Sequence, residues 1–359
     1  MRIAIIGLPQ SGKTTIFNAL TGAHKETGVH GTGHVGTNVA VVRVPDERME
    51  FLRQMYNPKK FTLATVEFID VGDIFAEKSA GKPEVATAMG LLRESDAIIE
   101  VVRVFKDDSV PHPKGSIDPQ RDLREIYSEL LITDLGIVEK RVDRLKKSIT
   151  KPAKTQQQDK EELEMLLKCK DALEKEHGIG SVHLTDVQKK TVKSFCFLTQ
   201  KPRIVVLNIG EDQLGDKTIE KGISDAAGVI SMCGKLEMEL EGLEEQERGE
   251  FLKDMGIDEL SASKLIRLSY EILHLCSFFT VGEDEVRAWT ISEGDNAPTA
   301  AGKVHTDMAR GFIRAEVVHF DDLKQLGSMK DLKAHGKLRL EGKDYIVKDG
   351  DIINFRFSV

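Results

Sequence analysis

The sequence predicts an α/β protein: a doubly wound domain of parallel strands, interrupted by an antiparallel helical hairpin and followed by a small β-rich module. Three observations carry this reading. Short apolar runs alternate with helical stretches through the first part of the chain. Residues 121–196 change to apolar positions spaced three to five apart with charged residues between them. From about residue 280, short strand-like runs are separated by glycine turns.

Taken in order, RIAII at 2–6 is an apolar run that stops at Gly7, as a strand buried on both faces does. Helical signal runs from Gly12 to about Leu20. Further strands are expected at 38–44 (NVAVVRV), 65–71 (TVEFIDV), 97–104 (AIIEVVRV) and 203–208 (RIVVLN), with a helix over Glu84–Ser95 among them. The first hairpin helix carries Leu123, Ile126, Leu130, Leu135, Val138, Val142 and Leu145, and the second carries Leu163, Leu166, Leu167 and Leu173. The polar stretch Thr150–Gln158, with Pro152 inside it, reads as the turn between them. Residues 140–160 hold eight Lys or Arg against two Asp, so the hairpin tip is basic: a solvated helix end, or a patch for RNA or another acidic surface. The tail (VRAWTI, FIRAEVV, KLRL, YIV, DIINFRF) reads as a β-grasp or barrel-like module of 12 basic and 14 acidic residues, with no net electrostatic footprint. The expected division is 1–120 with 197–279 for the α/β domain, 121–196 for the hairpin, and 280–359 for the C-terminal module.

Composition bounds the function. The 359 residues are 40% hydrophobic and 31% charged, which fits a globular chain and not a disordered or fibrous one. No apolar run nears the ~18 residues of a membrane span. The short apolar start runs directly into a glycine-rich turn without a cleavage-type site, so it is read as mature structure. Cys169, Cys196, Cys233 and Cys276 lie far apart, which argues against a zinc or disulfide framework and for a reducing cytoplasm. The net charge of −8 leaves room for nucleic acid only at a local basic patch.

The strongest chemical signal is Gly7-Leu-Pro-Gln-Ser-Gly12-Lys13-Thr14, a G-x-x-x-x-G-K-[ST] turn between a predicted strand and a predicted helix. Glycines there let backbone N–H groups turn inward around phosphate oxygens, and the helix N-terminus adds partial positive charge. Gln10, Ser11, Gly12, Lys13, Thr14 and Thr15 are the expected phosphate-side residues, Lys13 meeting the β- and γ-phosphates and the Thr14 hydroxyl meeting Mg²⁺. Asp70, at the end of TVEFID, is the second expected metal residue, acting through water. Asn208-Ile209-Gly210-Glu211, after RIVVL, stands where GTPases carry N-K-x-D, and the longer Glu211 acceptor should weaken guanine selection. Ser231-Met-Cys233-Gly234-Lys235 follows another strand and would form the second base-side loop.

These segments, with NVAVVRVPDERM, LLRESDAIIEVVRVF and above all the tail from EVRAWTISEGD to DIINFRF, resemble the YchF/Obg-like ATPase family over nearly the whole chain. The resemblance implies a P-loop NTPase G-domain with an inserted helical hairpin and a C-terminal β-grasp TGS domain. It implies ATP preferred to GTP, Mg²⁺-dependent hydrolysis to ADP and phosphate, and ribosomes or ribosomal RNA as partner, with no DNA or membrane partner and a cytoplasmic monomer. It also implies that Ile74 replaces the water-orienting Gln of Ras-like proteins, and that His112, between Pro111 and Pro113 on an exposed loop, positions the attacking water.

The chain departs from the family pattern in places. Asp70-Val-Gly-Asp73 puts an anion where the family has a glycine amide near the γ-phosphate, Gln10 replaces an Asn, and His34 replaces the switch threonine unless Thr32 or Thr37 serves. The expectation is firm nucleotide binding with slow hydrolysis. Two alternatives stay open: a nucleotide-gated binding module with little turnover, and a GTPase.

Overall fold

The structure is a computed structural model that describes residues 1–23, 37–75, 83–150, 156–216, 218–223 and 226–358. The chain runs β1 (Arg2–Gly7), α1 (Lys13–Thr21), β2 (Asn38–Arg43), α2 (Glu47–Tyr56), β3 (Lys60–Thr62), β4 (Thr65–Asp70), α3 (Pro83–Glu94) and β5 (Ala97–Arg103). The hairpin α4 (Pro119–Ile149) and α5 (Gln156–Glu174) follows, then α6 (Asp186–Lys193), β6 (Arg203–Asn208), β7 (Gly228–Met232), α7 (Gly234–Glu241), α8 (Glu245–Asp254) and α9 (Ser261–Ile272). The C-terminal stretch holds β8 (Leu275–Thr280), β9 (Glu285–Ser292), α10 (Ala297–Val304), α11 (Thr306–Arg310), β10 (Phe312–His319), α12 (Phe320–Leu326), α13 (Met329–Ala334), β11 (Arg339–Glu341) and β12 (Asp351–Phe357).

Two compact units result: Met1–Ala40 with Glu67–Ala262, and Val41–Val66 with Ser263–Val359. The first is built on a sheet of order β2-β4-β1-β5-β6-β7, parallel from β4 to β7. Every residue of β5 is buried, as expected of a central strand covered on both faces. β1 pairs with β4 on one side and β5 on the other: the chain runs from β1 to β2 on the β4 side and crosses to the other side only after β4, and the crevice at such a reversal is where open α/β sheets bind ligands.

The hairpin packs on its own core, in which the expected Val138, Val142, Leu145, Leu166 and Leu173 are joined by Leu131, Met165 and Cys169, which the spacing did not name. Two expectations differ: Ile126 and Leu130 face the core of the α/β unit, and Leu167 is exposed, because it lies off the face that α5 turns to α4. Asp118 caps α4, its side chain accepting from the Arg121 N–H at 3.1 Å, and Pro119 follows at the first helical position. The expected turn at 150–158 falls partly outside the described residues; α5 is already helical at Gln156.

The second unit is a mixed sheet of order β11-β10-β12-β8-β9-β3. An antiparallel β8–β9 hairpin, the helix α10, and a β12 strand parallel to β8 give the β-grasp layout. Two expectations about boundaries differ from this. The sheet begins with β8 at Leu275, ahead of residue 280, because β8 makes its ladder with β9 and β12. The stretch with α2 and β3 belongs to this unit and not to the α/β unit: β3 pairs in parallel with β9, Lys60 opposite Glu285 and Thr62 opposite Arg287. No local pattern in the KFT tripeptide announces a partner more than two hundred residues away.

Candidate functional site

The turn after β1 is fixed by close approaches. A Cβ on Gly7 would lie 2.4 Å from the Val101 carbonyl oxygen of the neighbouring strand. Gly12 has φ of +91°, and a Cβ there would lie 2.1 Å from Asn208 Nδ2. Each glycine is therefore demanded by the backbone path. Gln10 is also left-handed, with φ of +61°, and exposed. Ser11 is buried, and its hydroxyl has no partner among the described residues.

Gly12 caps α1 with no side-chain hydrogen bond, and the first turn of α1 holds no acidic residue. The helix thus presents amides and partial positive charge without a built-in acceptor, the condition for anion binding. Lys13 opens the helix and is 6% exposed. Its ammonium donates to the Leu8 carbonyl at 3.0 Å and to Asp73 Oδ1 at 2.7 Å. The Thr14 hydroxyl donates to Asp70 Oδ2 at 3.0 Å, and the Gly72 N–H donates to Asp70 Oδ1 at 3.2 Å. The two expected metal residues are thus brought together: Thr14 is half-buried and Asp70 buried. Thr15, half-buried, follows on α1.

On the other side of the turn, Asn208 ends β6 and is buried. Its Nδ2 donates to the Ser11 carbonyl at 3.0 Å, and its Oδ1 accepts from the Gly234 N–H at 3.2 Å. Its own carbonyl accepts from the N–H groups of Val104 and Phe105. Asn208 therefore ties three loops together, with its side-chain amide engaged at both ends. Gly234 is required here as well: a Cβ would lie 2.7 Å from Ile16 Cδ1. Ile209, expected among the nucleotide-side residues, follows directly on β6. Its side chain is 5% exposed and joins the core under the sheet, because β6 turns its apolar residues inward. Its N–H is held by the Met232 carbonyl. Cys233 is buried in that same core, and burial pushes its thiol up. Glu211 is the base-side residue that remains open, with Lys235 Nζ 4.0 Å away.

His112 lies, as expected, on a loop whose neighbours Pro111 and Pro113 are exposed, but the ring itself is turned inward. Its ring is buried, not exposed: Nε2 lies 3.0 Å from Asp122 Oδ2 of α4, and Nδ1 accepts from the Lys114 N–H at 3.2 Å. Ile74 is buried in the core beside β4. His34 and Thr32 lie outside the described residues.

The sequence reading missed Arg103 and Phe105. Arg103 ends β5 in register with Asn208, and its guanidinium lies 4.4 Å from the Phe105 ring centre. It donates to the Phe105 and Asp107 carbonyls, and burial lowers its pKa. A VVRVF run signals a strand, and nothing local marks its last residues as a brace for the turn.

A parallel sheet with a glycine-lysine-threonine turn between its switch-point strand and the following helix defines a P-loop nucleotide-binding protein of GTPase-like fold. Consistent with this, residues 2–141 match the family model described as 50S ribosome-binding GTPase, and residues 275–358 match the YchF GTPase C-terminal model, described as a protein of unknown function (DUF933). The chain is 42% identical to the ribosome-binding ATPase YchF of Bacillus subtilis over 99% of this chain and 98% of that one. It is 40% identical to the protein of that name from Haemophilus ducreyi, over 100% and 99%. The solved structure of the Schizosaccharomyces pombe YchF GTPase superposes with a TM-score of 0.84 at 31% identity, covering 99% of this chain and 97% of that one. The chain belongs to the YchF family.

Proposed function

We propose that the chain binds a purine nucleotide with Mg²⁺, hydrolyses ATP in preference to GTP to ADP and phosphate, and acts as a cytoplasmic monomer in contact with the ribosome or its RNA. The observation that carries the reading is the glycine-fixed turn that aims a buried Lys13 and the uncapped amides of α1 into one crevice. The relatives named ribosome-binding ATPases support the choice of ATP and of the ribosome.

In this reading Gly12, Lys13, Thr14 and Thr15 hold the phosphates, Gln10 and Ser11 shape the turn, and Glu211 takes the base edge. Asn208, Ile209, Cys233 and Gly234 build the base-side wall. The Thr14 hydroxyl and Asp70 carboxylate form an oxygen pair of the kind Mg²⁺ accepts alongside phosphate and water oxygens, and these two would hold it. Bound there, the ion would neutralise charge on the phosphate oxygens. The transition state of phosphoryl transfer is loose, so the residues contribute mainly position and electrostatics. His112 takes part by positioning water only once it has left Asp122 and the Lys114 amide.

The engagement of Lys13 by Asp73 favours a second reading, a nucleotide-gated binding module with little turnover. Calorimetric titration of ADP, ATP and GTP, with and without Mg²⁺, tests binding, base choice and metal need together. Lys13→Ala should weaken ADP and ATP at least about tenfold. A Lys13→Ala chain that hydrolyses ATP as fast as the wild type overturns the site. Single-turnover hydrolysis with and without ribosomes separates the two readings.

A further inference from the structure

We infer that Asp73 is a specificity-determining residue: its carboxylate occupies the part of the Lys13 ammonium that a terminal phosphate needs, so the site favours a nucleoside diphosphate over the triphosphate. This rests on the nucleotide-site reading above and adds the choice of ligand to it.

An ammonium has three N–H donors. Lys13 gives one to the Leu8 carbonyl, inside the turn, and one to Asp73 Oδ1 at 2.7 Å. One donor remains. The lysine side chain is 6% exposed and the Asp73 side chain 39% exposed, so the carboxylate reaches in from the open side, where a longer phosphate chain would arrive.

The arm that carries Asp73 is held. Gly72 has φ of +64°, and its N–H is bonded to Asp70 Oδ1, so the chain turns back sharply after β4. Val71 and Ile74, on either side, are buried in the core of the α/β unit. The carboxylate is therefore delivered by a braced turn and not by a loose loop.

A diphosphate can lie in the amide cradle and take the remaining Lys13 donor while Asp73 keeps its own. A triphosphate must either displace Asp73 from Lys13 or place further negative charge beside it. Like charges a few ångströms apart, partly screened, account for a preference of about tenfold or more.

The test uses the full chain with Mg²⁺ and titrates ADP and the non-hydrolysable β,γ-methylene analogue of ATP into the wild type, Asp73→Asn and Asp73→Glu, with folding checked by circular dichroism. The wild type should bind ADP at least about tenfold more tightly than the triphosphate analogue. Asp73→Asn should gain about tenfold for the analogue while ADP stays within about threefold, and Asp73→Glu, which keeps the charge, should retain the wild-type preference. If the wild type binds both ligands equally, or Asp73→Asn moves both by the same factor, Asp73 does not select and the nucleotide site stands. If the wild type binds neither, the nucleotide-site reading falls and this inference with it.

Discussion

Asn208 Nδ2 lies 3.0 Å from the Ser11 carbonyl oxygen, so the last residue of β6 holds the phosphate-binding turn that follows β1. The other end of the same amide accepts from the Gly234 N–H, and the two anchor points are more than two hundred residues apart in sequence. The turn and the base-side loop are therefore set by one side chain.

Asn208→Ala removes that tie and leaves the Gly234 N–H buried without its acceptor. The expected result is a stability loss of about 1–3 kcal/mol in urea denaturation, with ADP affinity reduced at least about tenfold. Wild-type ADP affinity in this variant would show that Asn208 does not position the turn.

The hairpin is anchored to the α/β unit by Asp134. It is fully buried, and its two oxygens accept from the N–H groups of Leu198 and Thr199 and from the Thr199 hydroxyl, at 2.8–3.0 Å. Asp134→Ala strands three donors and should cost about 3 kcal/mol or more. Asp134→Asn keeps an acceptor and should cost less. Equal urea midpoints for wild type and Asp134→Ala would sink this account.

Glu100 sits wholly buried on β5, with Arg203 Nη1 at 3.1 and 3.2 Å from its two oxygens. Burial pushes its carboxyl above the ordinary value of 4.5, although Arg203 draws it back. The folded chain then holds this proton more tightly than the unfolded chain does. The stability that Glu100 contributes is complete below about pH 4.5 and is lost as pH rises through the raised folded value. Melting wild type and Glu100→Gln side by side from pH 4 upward should show the wild type losing ground to the variant as pH increases. A constant difference would contradict the raised value.

Thiol labelling reads the core directly. Burial pushes Cys169 up to about 11 and Cys276 up to about 12, and Cys233 is raised as well. Cys196 is exposed. Thiolate is the reactive form, so iodoacetamide at pH 8 should modify Cys196 alone in the native chain and all four cysteines in denaturant. Rapid native labelling of Cys276 or Cys169 would mean that the core around it opens.

What the sequence determined by itself is local in origin. The runs at 2–6, 65–71, 97–104 and 203–208 were legible as strands because short runs rich in apolar β-formers suit a sheet covered on both faces, and the observed strands end within a residue of those limits. The Gly7–Thr14 turn was legible because both glycines are dictated by the backbone path, and the hairpin was legible because its stripe has helical period. Tertiary structure alone decided the rest. Asp73 reaches Lys13, Asn208 reaches Ser11, His112 is drawn under Asp122, Ile209 turns inward, and β3 joins β9. Each of these is a contact between residues whose own neighbours in sequence carry no mark of it. A side chain's partner is set by where the sheet brings distant segments together, and period and composition do not record that.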